Sequence, residues 1–335
     1  MAALPKNSIT SRSITHKATD GEADPARRRR YARSPAEALC VSLTPVRLEI
    51  LRFLADLRFL SLPQIARLCC PSPRQELAEK SARRQMRILF DAGLVDVLPV
   101  SRAALSPAGL PNDASLLYGS APNIYAPTAL GLETLSRAGL MEKPDAARKK
   151  PAYGPKNSLF LAHELAVRDV RVWLELVARE GGYELEQWRD SEAAAINFDR
   201  DQPPLTVRPD AWFVLRLGQV VLVGLVEVDR GTERGDRRWR EKLDAYAALF
   251  AGGCLPGVTG YINARVLVLT PSQVRRDALA RFIAAQMRES SLSTGLAERF
   301  WLADQSLLTE GDLAKQLWRR PGSDALWPLA TGQAV

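Results

Sequence analysis

Residues 79–98 read Glu-Lys-Ser-Ala-Arg-Arg-Gln-Met-Arg-Ile-Leu-Phe-Asp-Ala-Gly-Leu-Val-Asp-Val-Leu, and their period changes midway. From about Glu79 to Ala92 the apolar Met86, Leu89 and Phe90 recur at helical steps, which leaves Lys80, Arg83, Arg84 and Arg87 on the outward side. Gly93 stands where a helix C-cap is expected. Leu94-Val95-Asp96-Val97-Leu98 then alternates as a strand. A cationic helix that hands over directly to a strand is the anchor for reading the segments on either side.

Upstream, Leu48, Leu51, Leu54 and Leu57, with Ile50 and Phe53, recur at three- and four-residue steps behind Pro45, a residue suited to a first helical turn. A second short helix follows, capped by Ser61 and carrying Leu62, Ile65, Ala66 and Leu68, and Pro71-Ser72-Pro73 ends it. Downstream, a Ser-, Pro-, Gly- and Ala-rich loop at about 101–122 leads to a return strand, Asn123 to Pro127. Thr128 caps a further helix, Ala129 to Ala138, which Gly139 closes. Three helices, a two-stranded wing and a closing helix spell a winged helix over residues 44–140, a helix-turn-helix variant whose third helix enters the major groove. Lys80, Arg83, Arg84 and Arg87 are then the expected DNA-binding residues, within reach of phosphates or guanine edges. The competing reading makes them a solvated helix face or a protein-contact surface.

The bulk composition points the same way. Lys and Arg exceed Asp and Glu by eight, and a basic surface favours phosphate backbones, whose counterions it releases. Cys40, Cys69, Cys70 and Cys254 form no Cys-x-x-Cys pair, the adjacent Cys69 and Cys70 lack zinc-site spacing, and His16 and His163 are the two histidines, so His-rich zinc chemistry is excluded by inventory. Reduced thiols, no apolar run near ~18 residues and no secretory pattern in the first residues lead to the expectation of a cytoplasmic chain with no membrane partner. Residues 1–43 read as a disordered basic tail, with Arg27 to Arg30 in one run. Residues 141–157 read as a basic linker.

A second domain is expected over 158–303. A helix runs from Ser158 to about Arg179, stopped by Gly181-Gly182, and a strand starts at Tyr183. A strand over Val207 to Leu215 turns at Gly218-Gln219 into the long apolar run Val220 to Asp229, as befits a central strand. A charged helix at about 234–249, a buried strand Arg265 to Thr270, a helix from Ser272 to about Arg288 and a short edge strand at Phe300-Trp301-Leu302 complete it. A helix from Leu307 to Trp318 and a loose end fill 304–335. The order α-β-β-β-α-β-α gives a mixed α/β class, with a restriction-endonuclease-like domain behind the winged helix. The signature of that fold is Pro-Asp, a spacer, then Asp/Glu-x-Lys on the next strand. Here Pro209-Asp210 is followed, seventeen residues after Asp210, by Glu227-Val228-Asp229.

Strand side chains alternate, so Glu227 and Asp229 are expected on one side with Asp210 joining them across the hairpin. Converging carboxylates repel unless a cation intervenes, and Mg2+ is the hard ion that suits them, so Asp210, Glu227 and Asp229 are the expected metal ligands. Such an ion would polarise a phosphodiester and activate a water. The sequence departs from the nuclease pattern at Asp229, where the signature has Lys. Lys242 on the following helix, or Arg230, could supply the missing charge, and Glu164 on the first helix matches an auxiliary acid. The catalytic set would be Asp210, Glu227, Asp229, Lys242 and Glu164. The competing reading makes the acids solvated strand ends.

Taken together, the winged helix, His163-Glu164-Leu165, Pro209-Asp210-Ala211, the run Glu227 to Glu233 (Glu-Val-Asp-Arg-Gly-Thr-Glu), Lys242 and Tyr246 resemble the replication-relaxation proteins of plasmids and mobile elements. The resemblance covers about 45–290 and implies a part in plasmid replication and DNA relaxation, without itself implying cleavage. Three functions stay open at this level. One is a DNA-binding accessory that docks duplex DNA, with replication or mobilisation proteins as partners. The second is an Mg2+-dependent nickase or endonuclease. The third is a transcriptional regulator.

Overall fold

The computed structural model describes residues 42–98, 123–142, 158–198, 205–231, 237–289, 294–309 and 313–330. The expected tail, the loop at about 101–122 and the linker fall almost wholly outside these residues. Thr44 caps α1 (Pro45–Leu57), its hydroxyl accepting from Arg47 N. β1 (Leu60–Ser61) leads straight into α2 (Leu62–Cys69), where the Gln64 side chain reaches back to Ser61 N at 2.9 Å. Side chains that satisfy the otherwise unpaired N–H groups of a first turn set both starts. α3 (Gln75–Asp91) begins a turn earlier than its apolar pattern suggests, and Gly93 follows it with φ +74°. That left-handed residue lets Leu94 N bond back to Leu89 O at 2.9 Å. β2 (Val95–Leu98) and β3 (Ile124–Pro127) pair antiparallel, and β1 joins β3 on its other side. The expected two-stranded wing is thus part of a three-stranded sheet in the order β1-β3-β2. α4 (Ala129–Arg137) closes this unit over Leu94.

α5 (Ser158–Gly181) is shared. Its Val172 lies in the first core with Leu54, Leu68 and Met86, while its Val170, Trp173 and Val177 pack on the large sheet. Gln64 Nε2 donates to Leu165 O and Asp169 Oδ1, and Arg179 donates to Leu68 O at 2.6 Å and to Glu49 at 2.7 Å. One long helix therefore carries apolar contacts and hydrogen bonds to both parts of the chain.

After β4 (Glu184–Asp190) the chain makes a small hairpin, β5 (Ile196–Phe198) with β6 (Leu205–Val207), before β7 (Ala211–Leu217). The strand expected over Val207 to Leu215 is therefore two strands, broken at Arg208-Pro209-Asp210, where Pro209 has no N–H to offer a ladder. β8 (Val220–Val228) is the antiparallel partner of β7, turning at Gly218 with φ +66°. α6 (Arg237–Gly252) and the short α7 (Leu255–Thr259) cross to β9 (Arg265–Thr270), which runs parallel to β8. α8 (Gln273–Glu289) and α9 (Thr294–Ala297) cross again to β10 (Phe300–Asp304), parallel to β9. β11 (Gln316–Arg319) and β12 (Leu326–Pro328) then extend the sheet.

Two expectations change here. The Phe300-Trp301-Leu302 segment is not an edge strand, because β11 and β12 lie beyond it in the order β12-β11-β10-β9-β8-β7-β4. The helix expected from Leu307 to Trp318 is instead a 3-10 turn (Gln305–Thr309) followed by strand β11. Trp318 is buried against Trp173, with ring centroids 6.4 Å apart. That tertiary contact outweighs the local helical pattern. Elsewhere the mixed α/β class and the α-β-β-β-α-β-α core order stand as expected. Among the described residues no helix is long and apolar enough to cross a membrane.

The sheet is covered on one face by α6 and α8, through Trp239, Leu243, Leu279 and Ile283, and on the other by α5. Gly224 sits opposite Phe213 in β7, and a Cβ there would come 2.3 Å from the Phe213 ring. Gly224→Ala is expected to cost about 1–3 kcal/mol through overpacking. An unchanged urea midpoint would show that the Phe213 ring moves aside freely.

Candidate nucleic-acid surface and acid cluster

The basic stripe on α3 follows from where its apolar residues go. Ala78, Ala82, Met86, Leu89 and Phe90 are buried, which turns Lys80, Arg83, Arg84 and Arg87 outward, all four exposed. Steps of three, four and seven residues align them along ~10 Å of one side of the helix. Arg87 pairs with Asp91 at 2.8 Å, one turn on, so part of its charge is already answered. The helix is stapled from behind by Gln85, which accepts from Arg47 Nε of α1 at 2.9 Å.

The acid cluster lies where β7 begins and β8 ends. Their antiparallel register pairs Ala211 with Val226, so one step further Asp210 stands opposite Glu227. Asp210 accepts from His163 Nε2 at 2.9 Å through Oδ1 and from Val228 N at 2.7 Å through Oδ2. Glu227, 1% exposed, accepts from Lys242 Nζ at 2.6 Å and from the Tyr246 hydroxyl at 2.7 Å. Lys242 and Tyr246 are one turn apart on α6, whose buried side faces β8. The fold thus brings together Asp210, Glu227, Lys242, His163 and Tyr246.

It does not bring Asp229 or Glu164 to the same point. β8 stops at Val228, and Asp229, one residue beyond, accepts both Nε and Nη2 of Arg275 at 2.9 and 2.7 Å and Gly231 N at 2.7 Å. The strict alternation that aligns Glu227 with Asp229 holds within a strand, and the strand has ended. Glu164 points instead to Arg168, at 2.8 Å, and to the Ser191 hydroxyl. Among the described residues no three His, Cys, Asp or Glu side chains are placed to share a metal ion. Every carboxylate oxygen of Asp210, Glu227 and Asp229 already accepts a proton donor. The expected three-acid Mg2+ site therefore does not fit these residues as arranged.

Burial and charge oppose each other at every group. Burial would raise Asp210, but the His163 bond and charge, the Lys242 charge and the Val228 N–H together hold it below the usual carboxylate value. Burial would lower His163, but the bond to Asp210, its charge and that of Glu164 hold the imidazole above 6.5. At Glu227 burial prevails and, helped by Asp210, keeps the carboxyl raised against the pull of Lys242 and Tyr246. Burial, followed by Glu227, lifts the Tyr246 phenol well above its ordinary value, so Tyr246 is a fixed donor and no ready nucleophile.

The His163–Asp210 pair thus stabilises the fold in a bounded window. The Asp210 share is lost as pH falls through its lowered folded value, and the His163 share as pH rises through its raised one. NMR titration is expected to place His163 above 6.5 in the native chain and below it in Asp210→Asn, where burial acts with little opposition. The same titration midpoint in both proteins would sink this account.

A profile described as replication-relaxation matches residues 51–264. The chain belongs to the replication-relaxation family. The family match covers most of α1, all of α2 and α3, and every member of the acid cluster, and ends one residue before β9. Arg275 and the strands β9 to β12 lie outside it. No curated protein and no solved structure matches the chain.

Sequence reading alone passed over His163, Arg275 and Arg168 as site residues. His163 was within reach as one of two histidines, placed beside Glu164 on an apolar helix. Arg275 had no signal, because it meets Asp229 only after α6, α7 and β9 have intervened.

Proposed function

We propose that this chain is a DNA-binding protein acting in the replication or relaxation of a plasmid or mobile element, and that it docks duplex DNA with α3 in the major groove. The observation that carries this reading is the four-cation stripe on α3, exposed on a helix whose opposite side is sealed into the core. The three-stranded sheet β1-β3-β2, whose strand β2 follows α3 directly, supports a winged-helix arrangement. The family supports the biological setting. A solvated face needs no such concentration of one sign, and like charges on one stripe repel until a polyanion answers them.

In this reading the acid cluster is a satisfied charge network that does not cut DNA. Its acids are occupied by Lys242, Tyr246, His163 and Arg275, an arrangement that favours a structural role. Fluorescence anisotropy with a labelled duplex, read at several salt concentrations, is expected to show affinity falling steeply with salt. Affinity indifferent to salt would remove the α3 reading. Supercoiled plasmid incubated with the protein and Mg2+ is expected to stay supercoiled. Nicked circles that disappear with Asp210→Ala would overturn the non-cutting reading and restore the nickase. Footprints confined to promoter operators would favour a transcriptional regulator.

A further inference from the structure

Among the described residues, two that are not glycine hold positive φ: Arg58 at 69° and Ser191 at 54°. They come from the two parts of the chain, and they touch. Arg58 Nη2 donates to Ser191 Oγ at 2.7 Å and to Asp190 Oδ1 at 2.9 Å. A residue with a Cβ rarely adopts such a backbone, and it persists only where its surroundings over-determine it. At Arg58 the chain makes a one-residue γ-turn of the uncommon hand, in which Phe59 N donates to Leu57 O at 2.8 Å.

The same knot holds Arg168, whose side chain is 1% exposed. Its Nε donates to Leu57 O at 3.2 Å, its Nη1 pairs with Glu164 at 2.8 Å, and its guanidinium lies 4.7 Å from the Phe59 ring centroid. Its Nη2 is buried without a hydrogen-bond partner. Two unfavourable backbone conformations and a stranded N–H meet at one junction. On its far side the junction reaches the acid cluster. Ser191 N donates to Asp210 O at 3.4 Å, and Ser191 Oγ donates to Glu164, the neighbour of His163.

We propose that Arg58 and Ser191 form a strained latch through which the N-terminal helical unit positions the Asp210–His163 pair. Arg58 and Ser191 are positioning residues: neither touches Asp210 or His163 by its side chain, and each acts through the 190–191 turn. An ordinary surface ion pair tolerates many side-chain geometries. This junction accepts one, because the γ-turn, the Ser191 backbone and the shared hydroxyl must be met together. Displacing the end of α1 therefore moves the 190–191 turn and, with it, the start of β7.

The test needs no DNA, so its failure is separable from failure of the DNA-binding reading. The imidazole resonances of His163 are followed at fixed pH in the full chain, where His16 is the one other histidine. Arg58→Lys keeps the charge but loses the guanidinium whose Nη2 reaches Asp190 and Ser191 together. Ser191→Gly relieves the positive φ and removes Oγ while keeping the N–H that meets Asp210. Both are expected to shift the His163 resonances and to speed exchange of the Asp210 amide by about tenfold or more. Ser191→Gly should do so without lowering the melting temperature, which a merely structural contact would not allow. Arg179→Lys, at a separate contact between α5 and the first unit, should leave His163 unmoved. Unshifted resonances in both latch variants, or an equal shift in Arg179→Lys, would overturn the latch.

Discussion

Lys242→Met is expected to destabilise the fold by about 3 kcal/mol near neutral pH, the lower end of the cost of removing one partner from a buried ion pair. The lower end applies because Lys242 is 22% exposed, whereas the carboxylate it answers is 2% exposed. Without the ammonium, Glu227 keeps one donor, Tyr246, and the nearby charge of Asp210. Its carboxyl, already raised by burial, must then rise further from 4.5. The sign follows from proton binding: the folded state holds the proton more tightly than the unfolded chain. The deficit is therefore small below about pH 4.5, grows as pH rises, and levels off above the folded value. Urea unfolding at two pH values measures it. Glu227→Gln in the Lys242→Met background should recover much of the loss, since a neutral amide needs no counter-charge. A pH-independent deficit, or no recovery in the double variant, would mean that Lys242 acts by packing its stem on Trp239, which lies 5.1 Å from Nζ.

The second large effect is on binding. Arg83→Ala with Arg84→Ala should weaken duplex affinity by at least tenfold at moderate salt and reduce the magnitude of the log–log salt slope by about 1.8, the release from two phosphates at ~0.9 each. Stability should hardly change, because both side chains are exposed and replacing an arginine by alanine keeps good helix propensity. Arg87→Ala should do less, since Asp91 already engages that guanidinium. An unchanged slope would leave the stripe as a solvated face and return the third helix to the protein-contact alternative.

How much of this was legible beforehand depends on the range of the interactions involved. The helix starts at Pro45, Ser61 and Thr128, the stops at Gly93 and Gly139, and the outward stripe on α3 are local events, set by first-turn residues, capping and a 3.6-residue period within a dozen residues. Asp210 facing Glu227 was legible too, because a tight turn at Gly218 sets a hairpin's register. Asp229 was misjudged because alternation was carried one residue beyond the end of a strand. The C-terminal strands were misjudged because β11 is held by Trp318 against Trp173, far away in sequence.

By itself, then, the chain's order of residues determined its α/β class, the sequence of its principal elements, the cationic side of α3 and the meeting of two acids across a hairpin. The packed structure alone decided who answers each charge. Arg275 reaches Asp229, His163 reaches Asp210, and Arg58 reaches Ser191. Each of these partners is separated by 46 residues or more, and no periodicity spans that distance. A buried charge accepts whichever donor the fold delivers within about 3 Å, and delivery depends on how helices lie against the sheet. That is why the acids were visible in the sequence while the donors that answer them were not.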